Sequence, residues 1–197
     1  MNTEIISVFD YNIIKHKVPS HLYSSKILES DVDKLFNLDF IVQNGNRSVE
    51  KFGKGYSTCD FGSDLILNLG DISPLFEYIS YFIIENFSLG SKKEKILYTR
   101  IWSNKIYRDC SGRCHTHGGI NDGSAIFYYK CPDNSSDLII LKNKIDGLVK
   151  DEHKNISKHI KVESGDLIIH DKNVPHAISK HMNDDPRICF VFDFKLI

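Results

Sequence analysis

The sequence predicts a mainly β protein, in which short strands form a sandwich or barrel and N-terminal helices pack on one outer face. The main observation is a series of short β-rich runs, separated by turn residues, that follows Lys95. The chain also has 197 residues, of which 41% are hydrophobic, and this is enough for a packed core. No repeat or linker divides the chain, so we expect a single domain over residues 1–197. Its two parts are a helix-containing segment at 1–94 and a β core at 95–197.

Two helices are predicted in the first part. Asp31 is a candidate cap for a short helix that runs to Asn37. Ser73 as N-cap and Pro74 at the first helical position begin a second helix, which ends near Phe87. The second helix carries one apolar stripe, formed by Leu75, Ile79, Phe82 and Ile83.

The β core is predicted to contain seven strands, joined by turns rich in Pro, Asn, Asp and Gly. These strands are Ile96 to Ser103, Ser124 to Lys130, Asp137 to Leu141, His159 to Val162, Asp166 to His170, Val174 to Ser179 and Arg187 to Lys195. In the last strand, one face is wholly apolar and the other is mixed, because side chains alternate. The apolar face holds Ile188, Phe190, Phe192 and Phe194, and the mixed face holds Arg187, Cys189, Val191 and Asp193. This pattern is typical of a barrel wall between a helix layer and a polar cavity.

Charge and cysteine content exclude several classes of protein. The 25 Lys and Arg nearly balance the 26 Asp and Glu, so no positive field attracts nucleic acid or an anionic membrane. Five irregularly spaced cysteines indicate a reducing compartment. The N-terminus lacks the features of a signal peptide, and the most apolar stretch, Leu75 to Phe87, is too short to span a bilayer. We therefore expect a soluble, cytoplasmic protein without a nucleic-acid or membrane partner. A homodimer is compatible with the sequence.

The most informative motif is His115-Thr116-His117. Histidines at i and i+2 of an extended segment lie on the same face, so both imidazoles can converge on one metal ion. His176, on a later strand, is a candidate third ligand, and imidazoles of this kind suit iron, zinc, copper or nickel. Without that third ligand, the simpler interpretation is that His115 and His117 face solvent and that His176 is a turn histidine whose hydrogen bonds are satisfied.

The order of several segments resembles a known family. These segments are Trp102-Ser-Asn104, Gly112, His115-Thr-His117, Ser124-Ala-Ile-Phe-Tyr128, Pro132, Gly165-Asp-Leu-Ile-Ile, His176 and Arg187-Ile-Cys-Phe-Val-Phe-Asp193. Together they resemble the Fe(II)- and 2-oxoglutarate-dependent oxygenases, especially a group whose metal-binding turn reads H-x-H. The resemblance covers Trp102 to about Phe194 and is weaker over the N-terminal helices. It implies a double-stranded β-helix (jelly-roll, cupin-like) core at 95–197, with the helices packed on one sheet.

The resemblance also implies cofactors and site residues. His115, His117 and His176 become candidate catalytic iron ligands, with 2-oxoglutarate and O2 as cosubstrates. Arg187 becomes the partner of the distal carboxylate of 2-oxoglutarate, a role that suits the two-pronged guanidinium group. Further candidates for the cosubstrate pocket are the Tyr128 hydroxyl, Asn104 and Cys189.

Two departures from the wider superfamily affect this interpretation. The usual iron site has two histidines and one carboxylate, whereas the second position of the motif here is His117. Either three imidazoles hold the metal, or a nearby carboxylate such as Asp109 or Asp122 contributes. Many relatives place Ser two residues after the Arg, and Cys189 is a weaker hydrogen-bond donor.

Other interpretations of the same residues remain open. Cys110-x3-Cys114-His115 has a spacing compatible with structural zinc, although adjacent Cys114 and His115 point to opposite faces if extended. His117-Gly118-Gly119 also reads as the H-x-G pattern of related halogenases. His170-Asp171 ends a strand where the family usually has an aromatic residue, and we expect this pair to lie at the surface.

The preferred hypothesis is a dioxygenase that hydroxylates a small-molecule or amino-acid-like substrate and releases succinate and CO2. One alternative is a non-catalytic β-barrel protein whose histidines hold zinc or nothing. A second alternative is a cupin-like metalloenzyme that does not use 2-oxoglutarate. Substrate contacts are expected in Asn44 to Gly62 or in Asp146 to Lys158.

Overall fold

The computed structural model describes residues 2–38, 41, 55–87 and 93–197. Within these residues the chain forms eleven strands and three α-helices. The strands are β1 (Thr3–Val8), β2 (Tyr11–Lys17), β3 (Gly55–Ser57), β4 (Ile96–Ile106), β5 (Gly112–His115), β6 (Gly123–Lys130), β7 (Leu138–Leu141), β8 (Ser157–Ile160), β9 (Asp166–Asp171), β10 (His176–Ile178) and β11 (Arg187–Leu196). The helices are α1 (Lys26–Leu35), α2 (Asp64–Leu67) and α3 (Ser73–Phe87), and short 3-10 helices lie at Ser20–Leu22 and Asp151–Ile156.

The strands form two antiparallel sheets. The main sheet has the order β1-β2-β9-β6-β11-β4-β3, and the minor sheet has the order β5-β10-β7-β8. Side chains of both sheets share one buried cluster, which includes Trp102, Ile126 and Ile168 of the main sheet and Leu138 and Ile140 of the minor sheet. The two sheets therefore pack face to face, and this is the double-stranded β-helix core that the resemblance implied.

The helices pack on the outer face of the main sheet. The apolar stripe of α3 is buried in one cluster with the outward phenylalanines of β11, and Phe76 packs edge-on against Phe192 with ring centroids 5.0 Å apart. The predicted alternation of β11 is confirmed, because Ile188, Phe190, Phe192 and Phe194 join this helix-facing cluster. Cys189 and Val191 join the cluster between the sheets. No helix among residues 2–38, 55–87 and 93–197 has the length and apolar character needed to cross a membrane.

The predicted helices need one correction. The second helix has the predicted extent, Ser73–Phe87. The first helix begins at Lys26, five residues before the expected cap, because the Ser25 hydroxyl accepts hydrogen bonds from the backbone N–H groups of Ile27 and Leu28. Asp31 lies inside the helix and pairs with Lys34 at 3.0 Å.

The N-terminal segment also contains strands that we did not predict. β1 and β2 form a hairpin, and β2 pairs with β9, so the hairpin extends the main sheet. The predicted strands after Lys95 are all present with shifted ends, and β5 is an addition that places His115 on a strand. His170 was expected to end a strand at the surface, but β9 continues through Asp171 and His170 is fully buried.

Candidate active site

Three histidines meet between the two sheets. His115 ends β5, His176 begins β10, and the antiparallel register of these strands places the two residues opposite each other. His117 follows two residues after His115, as the H-x-H spacing predicts. One nitrogen from each ring forms a set whose atoms all lie within 4.8 Å of one another. The ring centroids are 4.3 Å apart for His115 and His176, 4.9 Å for His117 and His176, and 5.1 Å for His115 and His117.

The Nδ1 atom of each ring is held by an oxygen that can only accept. His115 Nδ1 donates to the Arg113 carbonyl at 3.0 Å, and His176 Nδ1 donates to the Val174 carbonyl at 3.1 Å. His117 Nδ1 donates to Asp193 Oδ1 at 2.6 Å. In a neutral imidazole the other nitrogen then carries a lone pair, so all three Nε2 atoms are available as ligands.

Two of these nitrogens lie as close together as ligands of one cation would. His117 Nε2 and His176 Nε2 are 3.2 Å apart, and with both Nδ1 atoms protonated no proton remains to bridge them. Burial lowers the pKa of His115 and holds the pKa of His176 well below its usual value, so both rings favour the neutral form that binds metals. The donor set therefore fits a divalent transition metal such as Fe(II).

The carboxylate that contacts this cluster is one that the sequence did not single out. Asp193 is 5% exposed and lies on the inward face of β11, the face that the alternation had assigned to it. The two carboxylates named as alternatives lie elsewhere, since Asp109 pairs with Lys180 at 2.7 Å and Asp122 pairs with Lys93 at 3.3 Å. The strand period could have identified Asp193 as inward-facing, but its contact with His117 depends on the packing of two distant segments.

Arg187 lies at the other end of the same face of β11 and is 2% exposed. Its Nη1 donates to the Ser136 hydroxyl at 2.7 Å and to the Ser136 carbonyl at 3.2 Å. Its Nη2 faces the Cys189 thiol at 3.9 Å, and the guanidinium carbon lies 4.9 Å from the centre of the Tyr128 ring. No carboxylate in the described part of the chain forms an ion pair with this guanidinium. A buried cation of this kind is stabilised by an anionic partner, so a carboxylate group would bind favourably beside it.

The other predicted cosubstrate residues lie beside Arg187. Cys189 is opposite Tyr128 on β6 and opposite Asn104 on β4, so these three side chains share a row on the inward face. The Tyr128 hydroxyl is buried and has no hydrogen-bond partner within the described residues. Burial raises the pKa of Tyr128, so its phenol stays protonated and can donate to an anion. The sequence therefore identified four residues that the fold brings to one end of the interior.

An apolar row separates the two polar ends of the interior. Register places Ile168, Ile126, Val191 and Trp102 side by side on four adjacent strands. The Trp102 ring stacks on His117, with centroids 5.7 Å apart and planes 19° apart. This row is buried and apolar, and such low-dielectric surroundings strengthen electrostatic interactions.

Two alternative interpretations of the motif are not supported by these positions. Cys114 is buried in a separate cluster with Ile139, Leu141 and Ala177, so its thiol does not join the histidines in a zinc site. His115 takes part in the cluster, which the H-x-H pattern requires and the H-x-G interpretation does not.

A groove opens beside His115, between β5 and the loop that follows β7. Its cavity of about 190 Å³ is lined by Arg113, Cys114, His115, Lys144, Ile145, Asp146 and Gly147. A hydrogen bond of 2.8 Å from the Cys114 N–H to the Gly147 carbonyl ties the loop after β7 to β5. The groove thus brings part of the expected segment Asp146 to Lys158 next to a candidate ligand. Residues 44–54 of the other expected segment lie outside the described residues.

The fold and this cluster define a jelly-roll protein with three histidines facing a shared interior. Residues 100–193 match the family model described as "Putative 2OG-Fe(II) oxygenase". This match to 2OG-Fe(II) oxygenases confirms the resemblance found in the sequence. The family is Fe(II)- and 2-oxoglutarate-dependent and uses O2 as cosubstrate. No curated protein matches the chain.

Solved structures share this fold at low sequence identity. AviO1 from Streptomyces viridochromogenes Tue57 is 13% identical with a TM-score of 0.61, and the match covers 92% of this chain and 88% of that one. HygX from Streptomyces hygroscopicus, with nickel and 2-oxoglutarate bound, is 13% identical with a TM-score of 0.60, over 92% and 82% of the two chains. A prolyl-4-hydroxylase from Pseudomonas putida is 11% identical with a TM-score of 0.58, over 94% of both chains. The jelly-roll core with outer helices is therefore confirmed.

Proposed function

We propose that this protein is an Fe(II)- and 2-oxoglutarate-dependent dioxygenase that hydroxylates a small-molecule or amino-acid-like substrate, with succinate and CO2 as co-products. The observation that carries this proposal is the buried guanidinium of Arg187, which lacks a carboxylate partner in the described residues. An apolar row lies between it and three imidazoles with free Nε2 atoms. A short dicarboxylate that also binds a metal would pair with the guanidinium at one end and with the metal at the other.

His115, His117 and His176 would hold the metal through their Nε2 atoms. The bound iron supplies the redox chemistry with O2 that organic side chains cannot provide. The protein fixes the three rings through their Nδ1 hydrogen bonds, and Asp193 adds a negative charge behind His117. This arrangement keeps the three rings oriented toward the position that a metal would take.

Arg187 would bind the distal carboxylate of 2-oxoglutarate, and the Tyr128 hydroxyl would donate a second hydrogen bond to it. Ser136 holds the guanidinium in place from the other side. Cys189 adds a weak contact at most, and Asn104 lies within the same row. The HygX structure with nickel, 2-oxoglutarate and hygromycin B bound supports this assignment of cofactors by likeness of fold.

The substrate would approach His115 through the groove lined by Arg113, Lys144 and Asp146. Side chains of both charges line this groove. They would suit a zwitterionic, amino-acid-like molecule, because the cations can bind a carboxylate and Asp146 can bind an ammonium group. The apolar row around Trp102 would keep bulk water away from the reacting centre.

Anaerobic addition of Fe(II) and 2-oxoglutarate tests the proposal directly. We expect a weak visible charge-transfer band, and succinate release when O2 and a panel of amino acids and small metabolites are supplied. A zinc-binding or structural β-barrel would give neither signal, and a metalloenzyme that does not use 2-oxoglutarate would bind Fe(II) without the band.

A histidine variant provides the matched comparison. His176→Ala should abolish the band and turnover while the circular dichroism spectrum stays that of the parent, because a cavity ligand contributes little to packing. His159→Ala is the control, since its side chain is 51% exposed and pairs with Asp137. Equal succinate production by His176→Ala and the parent would contradict the assignment of this ligand.

A further inference from the structure

Two buried polar atoms next to the histidine cluster have no role in the proposed reaction. The Ser124 hydroxyl and His170 Nε2 are both inaccessible, and neither has a hydrogen-bond partner among the described residues. Leaving such atoms unpaired destabilises the folded protein, because their hydrogen bonds to water are lost on burial. Buried polar groups are nearly always satisfied, so two adjacent exceptions indicate a missing partner.

The strand register places these two atoms together and beside the candidate metal centre. Ser124 on β6 lies opposite His170 on β9 and opposite Asp193 on β11, so the three residues form one row on the inward face. The His170 ring centroid is 4.6 Å from that of His176 and 5.7 Å from that of His117. Ser124 and His170 therefore line the same space as the three histidines, on the side of the main sheet.

The hydrogen bonds of His170 define what can bind there. Its Nδ1 donates to the Asp171 carbonyl at 2.9 Å, so in the neutral ring Nε2 can only accept a hydrogen bond. The Ser124 hydroxyl can donate or accept. One atom that satisfies both groups must carry a hydrogen, and this excludes a carboxylate or a keto oxygen.

We propose that Ser124 and His170 form a hydroxyl subsite, which holds a water molecule or an alcohol hydroxyl group on the open side of the metal position. The position of this subsite relative to a metal rests on the proposed function. Without substrate, the subsite holds a water molecule beside the three histidines. A substrate hydroxyl group can replace that water.

Two other buried residues show what purely structural counterparts look like. The Ser103 hydroxyl donates to the Cys189 carbonyl at 2.9 Å. His16 uses both ring nitrogens, with Thr3 Oγ1 at 2.8 Å and Tyr78 Oη at 2.7 Å. Ser103 and His16 therefore serve as matched controls for Ser124 and His170.

The first experiment uses Co(II) in place of iron, because its visible absorption reports how many ligands surround it. Co(II) is added to the parent, Ser124→Ala, His170→Phe and the control Ser103→Ala. We expect stronger visible absorption in Ser124→Ala and His170→Phe, as an oxygen ligand is lost, and an unchanged spectrum in Ser103→Ala. Identical spectra in all Co(II)-bound proteins would overturn the subsite.

Ethanol then separates the two sources of the oxygen. If ethanol changes the spectrum of the parent but not those of the two variants, the subsite takes organic hydroxyl groups. If the spectrum of the parent differs from those of the variants but does not change when ethanol is added, water is the occupant.

The second experiment needs no metal and keeps the two proposals separate. If the parent does not bind Co(II), the metal-centre proposal fails, and the subsite is decided by thermal unfolding of the metal-free proteins. We expect the melting temperatures of Ser124→Ala and His170→Phe to fall less than those of their controls, because the groups removed pair with a bound hydroxyl group and not with other parts of the protein. Ser103→Ala and His16→Phe should melt earlier. A fall in the two test variants as large as in their controls would show structural roles and overturn the subsite.

Discussion

A single hydrogen bond at Nδ1 fixes the tautomer and the orientation of each histidine in the cluster. Two of the three rings are held by backbone carbonyls, and the third, His117, is held by the carboxylate of Asp193 at 2.6 Å. A carboxylate behind a ligating imidazole fixes its tautomer and increases its basicity. In the usual iron site a directly bound carboxylate gives negative charge to the metal. Asp193 can therefore supply part of that charge through the His117 ring.

Removing that charge should weaken metal binding. In Asp193→Asn we expect the affinity for Ni(II) to fall by about 10- to 100-fold, the range typical of such supporting residues. Isothermal titration of the metal-free protein measures the change. Asp109→Asn is the control, because that carboxylate is exposed and pairs with Lys180. An unchanged affinity for Ni(II) in Asp193→Asn would mean that the contact between Asp193 and His117 does not support metal binding.

Arg187 should control cosubstrate binding without affecting the metal. Arg187→Lys keeps a positive charge but loses the two-pronged geometry and the Ser136 contacts, so we expect the affinity for 2-oxoglutarate to fall by about tenfold or more, equivalent to about 1.4 kcal/mol. Cys189→Ala should change it much less, since a thiol is a weak donor. Titration of 2-oxoglutarate into the anaerobic Fe(II) protein measures both. Parent-like affinity in Arg187→Lys would place the anion elsewhere.

At this scale, chemistry and spacing could predict much of the candidate site. His115, His117, His176, Arg187 and Tyr128 can all be identified from residue type, order and resemblance, and the fold brings them to one interior. Asp193 and His170 could not be identified as site residues, because their roles arise from contacts across 76 residues and across neighbouring strands. Strand alternation gives the face of such a residue but not its partner.

Turns position the strands that carry these side chains. The turn before β9 contains Gly165, whose φ is +88° and whose missing side chain leaves room for the Tyr23 hydroxyl. A Cβ atom at this position would overlap that oxygen. The contact between this turn and Tyr23 thus packs β9, which carries His170, against the segment that precedes α1.

Substitution at this turn should cost more than backbone strain alone. Gly165→Ala forces a left-handed conformation, which costs about 1–2 kcal/mol, and also displaces Tyr23. Gly147→Ala is the matched control, because Gly147 has a φ of +92° and no described atom lies within 4 Å of the place that a Cβ would occupy. Urea denaturation should show a larger loss for Gly165→Ala, and equal losses in the two variants would mean that Tyr23 moves aside freely.

The elements show where a local pattern is sufficient and where it is not. Apart from β5, the strands after residue 95 were predictable because turn residues separate them. The hairpin of β1 and β2 lacks that signal, since Phe9, not Gly or Asn, takes the left-handed position of its turn, with a φ of 54°. The predicted start of α1 was too late because both Ser25 and Asp31 are good caps, and only the observed hydrogen bonds distinguish them.

Across the whole molecule, β11 separates the layer that stabilises the fold from the layer that carries the chemistry. Its outward side chains pack against α3, and its inward side chains run from Arg187 to Asp193 through the apolar row. Neighbouring residues of one strand should therefore affect different properties, although both are buried. Phe192 and Val191 are the pair that tests this division, with 0% and 4% exposure.

Phe192→Ala should lower the free energy of unfolding by about 3–5 kcal/mol, as expected for a buried phenylalanine, while the folded protein keeps its affinity for 2-oxoglutarate. Val191→Ala removes less apolar volume and should cost about 1–2 kcal/mol, at about 0.8 kcal/mol per buried methylene. It should nevertheless weaken 2-oxoglutarate binding, because Val191 lines the space between Arg187 and the histidines. Urea denaturation and anaerobic titration of the Fe(II) proteins measure the two quantities. If Phe192→Ala weakens cosubstrate binding as much as Val191→Ala does, the two faces of β11 are coupled, and the helix layer takes part in shaping the site.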